Sequence, residues 1–141
     1  MNIVSCPWCG QSPVKLYRLQ ASNCRARCTN KSCKTFLDIR TDSLLKALKE
    51  WNYRATLRRV LVQFPDFDLP VLLQKTREGL KEGLRFADLE KNELNLRLYE
   101  LAVGEECFEC EIVQIPLKLL ETLLCALEAE SNSAILLVEE T

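Results

Sequence analysis

Four of the eight cysteines in this 141-residue chain fall into two close pairs, Cys6-Pro7-Trp8-Cys9-Gly10 and Cys28-Thr29-Asn30-Lys31-Ser32-Cys33. Two short loops, each offering two thiolates and joined by the chain between them, match the four-sulfur tetrahedron that a structural zinc ion requires. Such a site has no open position for substrate water. One structural Zn²⁺ held by Cys6, Cys9, Cys28 and Cys33 is therefore the first expectation, and it places a constraint on everything between residues 6 and 33. Cys24 also stands in this stretch and is the alternative ligand should one of the four not bind; otherwise it is a small buried apolar residue.

The strands between the pairs are readable. Val14 to Gln20 alternates in the manner of a strand, Ala21-Ser22-Asn23 makes a turn, Cys24 to Cys28 returns, and Thr35 to Ile39 supplies a third strand. Thr41-Asp42-Ser43 has the composition of a helix N-cap, and Leu44, Leu48, Trp51, Ala55 and Val62 recur at helical spacing as far as Gln63. The Trp51 face of this helix should pack on the ribbon. A unit of this size builds little core, so metal binding is expected to supply folding free energy that burial does not.

The order of these elements carries a resemblance. The Cys6-Pro7-Trp8-Cys9-Gly10 knuckle, a hairpin, Cys28-x-Asn30-x-x-Cys33, and the helix ending Ala47-Leu48-Lys49-Glu50-Trp51-Asn52-Tyr53-Arg54 together resemble the Lar-like restriction alleviation proteins, small zinc-ribbon proteins of phages and prophages. The resemblance covers residues 3–56. It implies a phage or prophage origin, evasion of host restriction through a host defence or restriction-modification protein, and no catalytic residues. Cys24 and the whole second half depart from the family's pattern.

Charge divides the chain at the same place. Residues 1–63 carry twelve Lys and Arg against three Asp and Glu, and residues 64–141 carry seven against seventeen, although the formal net charge is only −1. Two units are expected: a basic zinc ribbon over 1–63 and an acidic α+β domain over 64–141, joined through the Pro-containing stretch 63–70. The second is read as α-β-β-α-β. It has a helix from Leu69 to about Leu84, weakened near its end by Gly79 and Gly83, then a hairpin of Leu94 to Tyr99 with Cys107 to Ile115. A Leu-rich helix from Leu117 to about Glu130 follows, and Ala134 to Val138 forms an inner strand. The Leu-rich helix could serve a homodimer as readily as a core.

Surface chemistry points to binding in place of turnover. The chain has no histidine, no Gly-rich phosphate loop and no nucleophile beside a base, and its convincing metal site is coordinatively closed, so no enzyme activity is expected. No signal peptide or membrane-length apolar run is visible, which points to the host bacterial cytosol. Cys107 and Cys110 are read as structural cysteines, since an i, i+3 pair in a strand faces opposite ways. Glu105, Glu106, Glu109 and Glu111 form a candidate acidic surface for a protein partner. Arg25, Arg27, Lys31 and Lys34, with Lys46, Lys49 and Tyr53 along the helix, are the candidate nucleic-acid contacts, with Trp8 as a stacking ring. These support the alternative function of a zinc-ribbon regulator that binds RNA or DNA.

Overall fold

A computed structural model describes residues 2–10, 12–102, 104 and 106–140, the stretch 130–140 by its backbone course alone. The protein is α+β, and the described residues form three helices and two three-stranded antiparallel sheets. It divides into two compact units, Met1–Gln63 and Phe64–Thr141.

In the first unit β1 (Val14–Gln20), β2 (Asn23–Cys28) and β3 (Phe36–Ile39) form a sheet in the order β1-β2-β3. Strand alternation divides the residues of β2 between two faces. Cys24, Ala26 and Cys28 are buried, with Leu16 and Val14 opposite them on β1 and Ile39 and Leu37 on β3. Helix α1 (Leu44–Val62) covers this face with Ala47, Trp51 and Ala55. Its start is set by Ser43, whose side chain accepts the Lys46 amide at 3.3 Å and so satisfies one of the exposed donors of the first turn. The expected stripe is only partly the real one. Leu44 and Val62 lie at the helix ends and stay exposed, and small Ala47, in the first turn, joins Trp51 and Ala55 on the buried face.

The core of this unit is Trp51 surrounded by small side chains. Trp51 is fully buried, and its neighbours in the cluster include Cys6, Cys24, Ala26, Cys28, Ala47 and Ala55. Apart from the indole, Val14 and Ile39 are the larger side chains buried in this cluster, and in a unit of this size metal cross-linking has much to add.

The second unit runs α2 (Leu69–Lys81), β4 (Phe86–Glu90), β5 (Asn95–Tyr99), β6 (Ile112–Pro116) and α3 (Leu117–Glu140). Asp68 caps α2 by accepting the Val71 amide at 3.2 Å, and Pro70 occupies the first turn, where a missing N–H costs nothing. At the other end Gly83, at φ +88°, donates to Leu80 O, and Leu84 N donates to Gly79 O at 2.9 Å, which closes the helix with a glycine-based C-terminal motif. Gly79 does not weaken the last turn. A Cβ there would stand 2.6 Å from Leu98 Cδ1 and 3.1 Å from Leu117 Cδ2, so its bare Cα is what lets α2 approach the sheet and α3.

The strand order is β5-β4-β6, which corrects the α-β-β-α-β expectation to α-β-β-β-α. The central strand β4 went unread because Ala87 and Leu89 are its only inward residues and two acids flank them, a weak apolar signal for a strand buried on one face. β5 pairs with β4 through the tight turn at 91–94, and β6 pairs with the other edge of β4, so the expected hairpin between residues 94–99 and 107–115 does not form. β6 begins only at Ile112. The preceding residues make an irregular segment in which Cys107 and Cys110 are joined by a disulfide, with Cα atoms 5.5 Å apart. Cys107 and Cys110 lie outside any strand, so the alternation expected to turn them to opposite faces does not apply. Ala134 to Val138, expected as a strand, continues α3: Asn132 and Ser133 are mediocre helix formers and do not stop a helix as proline does. No helix among the described residues is long and apolar enough to cross a membrane.

Candidate metal centre

The Sγ atoms of Cys6, Cys9, Cys28 and Cys33 all lie within 4.8 Å of one another. Two of the separations are 3.9 Å for Cys6 to Cys33 and 3.5 Å for Cys9 to Cys28. Four sulfurs at the vertices of a tetrahedron with metal–sulfur bonds of about 2.3 Å would be about 3.8 Å apart, so the cluster has the dimensions of a four-thiolate site. These four residues could hold a metal ion.

Local hydrogen bonds bring the two loops to this geometry. Cys6 N donates to Ser12 O at 3.0 Å, closing the first loop, in which Gly10 takes φ +108°. Thr29 N donates to Pro13 O at 3.0 Å and ties the second loop to the first. Within the second loop Asn30 is the organiser: its carbonyl accepts the amides of Cys33 and Lys34, and its side chain accepts the Ser32 amide at 2.9 Å.

The same loops aim donors at the sulfurs. Burial pushes the Cys6 thiol up, opposed by the amides of Cys9 and Trp8. Burial pushes the Cys28 thiol up to about 12, opposed by the Asn30 amide, which lies 3.4 Å from its Sγ. Cys9, at the exposed edge, is lowered to about 6, chiefly by the Ser12 hydroxyl. A divalent cation would reverse the effect of burial at Cys6 and Cys28, and the amides already in place would then stabilise thiolates.

Cys24 lies outside this cluster. It shares a strand face with Cys28, but four residues of strand separate them by about 13 Å, and its Sγ lies 3.4 Å from the Thr41 carbonyl in the core. As a substitute ligand it is therefore ruled out by reach.

The helix residues behind the knuckle make contacts that the spacing alone did not assign. Trp51 Nε1 donates to Val4 O at 2.7 Å, and Asn52, fully buried, accepts the Val4 amide at 2.8 Å and donates to Asn2 O at 3.0 Å. Arg59 donates to the carbonyl and hydroxyl of Ser5. The segment leading into Cys6 is thus held along its length by one face of α1. Trp8 is part of this assembly, its ring 5.9 Å from that of Trp51 and 4.6 Å from the Arg58 guanidinium, so it is not an outward stacking ring.

The expected nucleic-acid residues separate onto two sides of the sheet. Arg25 and Arg27 point away from α1, and with Lys31, Lys34 and Phe36 they line an open groove of about 640 Å³. Lys46, Lys49 and Tyr53 belong to α1, on the opposite side. Lys46 is exposed and Lys49 half-buried, whereas Tyr53 is buried, so that strip does not present a ring. Phe36 was missed as a candidate although strand alternation with Asp38 marks it as outward, and it is 55% exposed.

In the acidic unit, Glu106, Glu109 and Glu111 are exposed, but on an irregular segment instead of one strand face; Glu105 lies outside the described residues. Lys91 ties this segment back, its amide donating to Glu111 O at 3.0 Å and its ammonium to Phe108 O at 2.5 Å. No family model, no curated protein and no solved structure matches the chain.

Proposed function

We propose that the first unit is a zinc ribbon with one structural Zn²⁺ on Cys6, Cys9, Cys28 and Cys33, and that the protein works by binding, without catalysis, in the antirestriction role that the Lar-like resemblance implies. An all-thiolate set of tetrahedral dimensions suits zinc or a single iron, and a redox-inert closed ion fits a role in holding the fold. The partner is a host defence or restriction-modification protein of the bacterial cytosol.

One observation carries the resemblance from a pattern to a unit. Its two distant parts, the Cys6–Cys9 knuckle and the Trp51-Asn52 pair, are bonded to each other through Val4 and through the Trp8 ring. Residues that recur together in such proteins would do so because each is needed to hold the other. This supports reading residues 3–56 as one ribbon of that kind.

Elemental analysis of the purified protein tests the metal: one zinc per chain is expected, and iron or no metal would remove the zinc assignment. The role is tested by plating unmodified phage on restricting and non-restricting hosts that express the chain. Plating should rise on the restricting host alone and return to baseline with Cys28→Ser. Equal plating with and without the chain would sink the antirestriction reading.

A further inference from the structure

The open face of the ribbon is built as two cross-strand rows. Lys15, Arg27 and Phe36 are register neighbours across β1, β2 and β3, and Tyr17, Arg25 and Asp38 are the neighbours one pleat along. All six project from the face that α1 does not cover. Lys31 and Lys34, on the second cysteine loop, extend the first row beyond Arg27 and line the same groove.

Charge and ring placement on this face are not those of an ordinary solvated surface. Among the six row residues and the two loop lysines there is one acid, Asp38, and Arg25 neutralises it through hydrogen bonds of 2.6 and 3.1 Å. That pair also fixes the Arg25 guanidinium over the Phe36 ring, 4.5 Å from its centroid. Arg27, Lys31 and Lys34 form no ion pair with any described residue. Lys15 lies 5.8 Å from the Tyr17 ring. A face with two rings and a row of cations matches how sheets bind unpaired bases: rings and the guanidinium plane take base faces, while ammonium and guanidinium groups take phosphates. An acidic peptide would use the cations but leave the exposed part of the Phe36 ring uncovered, and duplex DNA offers no unstacked base to either ring.

We infer that this face is a binding site for single-stranded nucleic acid, with Arg27, Lys31 and Lys34 on successive phosphates and Phe36 and Tyr17 under bases. The inference rests on the metal-held ribbon of the proposed function and is independent of which host protein that function engages.

Fluorescence anisotropy of the zinc-loaded full chain with labelled single strands of about twelve nucleotides, DNA and RNA, tests it. With these three phosphate contacts the slope of log K against log salt should be about −2, a loss of about twentyfold between 50 and 200 mM salt. Arg27→Glu with Lys31→Glu should weaken binding strongly and reduce that slope by about two thirds. Phe36→Ala should cost about tenfold with the slope unchanged, because stacking releases no counterions. Lys46→Glu, a charge reversal of the same kind on the opposite side, should leave affinity within about twofold once it is measured at matched salt. Zinc content of each variant reports whether the ribbon is intact, so a failed ribbon is distinguished from a failed site. Absence of single-strand binding by the zinc-loaded chain would overturn the assignment. So would binding that ignores the groove variants, duplex binding as tight as single-strand binding, or a groove that captures only an acidic protein.

Discussion

Replacing Asn52 with Ala should weaken zinc binding although Asn52 touches no sulfur. Its side chain accepts the Val4 amide at 2.8 Å and donates to Asn2 O at 3.0 Å, and the residue is fully buried. Alanine leaves the half-buried Val4 N–H without its acceptor, worth about 1–3 kcal/mol, while the carbonyl of exposed Asn2 recovers water at a cost of about 0.5–1 kcal/mol. The total is about 2–4 kcal/mol. Without metal a 63-residue unit of this kind is expected to be largely unfolded, whereas a structural zinc contributes about 10–16 kcal/mol and keeps the bound form folded. Where folding and binding are coupled, the deficit is read as lost zinc affinity, about 30-fold to several hundredfold. Competition against a chromophoric zinc chelator measures it, and Trp8 and Trp51, the two tryptophans of the chain, report the folding of this unit by fluorescence. Trp51→Phe, which deletes the 2.7 Å bond to Val4 O, should give a smaller loss, and the double variant should fall short of the sum because both residues hold one segment. If Asn52→Ala binds zinc within about twofold of the parent and melts alike, the clamp reasoning is wrong.

Cys28→Ser should lose stoichiometric zinc and shift tryptophan emission to the red, while Cys24→Ala should keep one zinc per chain and cost about 1 kcal/mol in chemical denaturation. Zinc affinity should climb with pH: Cys6 and Cys28 are held protonated by burial, each must release a proton to bind, and so these two alone give about a hundredfold per pH unit near neutrality. Cys9, lowered to about 6, adds a further factor of about ten per unit only below that pH, so the chelator-competition curve should steepen there; a pH-independent affinity between 6 and 8 would contradict this. Gly79→Ala should destabilise the second unit by about 1–3 kcal/mol in urea titration, since its Cβ would stand 2.6 Å from Leu98 Cδ1.

What could be read in the sequence was what is encoded locally. Cysteine spacing gave the ribbon, and Ser43 and Pro70 gave the helix starts, because caps and knuckles are decided within a few residues. Pairing in the second unit is not local. β4 is the centre of its sheet, yet it shows only Ala87 and Leu89 to the core, and nothing in five residues reveals that two later strands will flank it. The four clustered cysteines were legible and their supports were not: Trp51 and Asn52 stood out as a motif, but the contacts to Val4 and Asn2 join residues some fifty positions apart. The basic residues were identifiable as a set, while their division between the two sides of the sheet needed the strand register and the place of α1. Tyr53 shows the error most clearly, since helical spacing placed it beside Lys46 and Lys49 and the fold buries it.

The order β5-β4-β6 also gives the protein a tolerant point in its chain. Residues 100–111 connect two outer strands that share no hydrogen bonds with each other, so their length sets no register. The far end of this segment is tied to Lys91, but Leu101 and Ala102 are exposed and precede those bonds. Doubling such a connection costs only about 0.6 kcal/mol of closure entropy. A short epitope or labelling peptide placed between Leu101 and Ala102 should therefore be carried without refolding the sheet, which leaves the ribbon and both of its faces untagged for binding work.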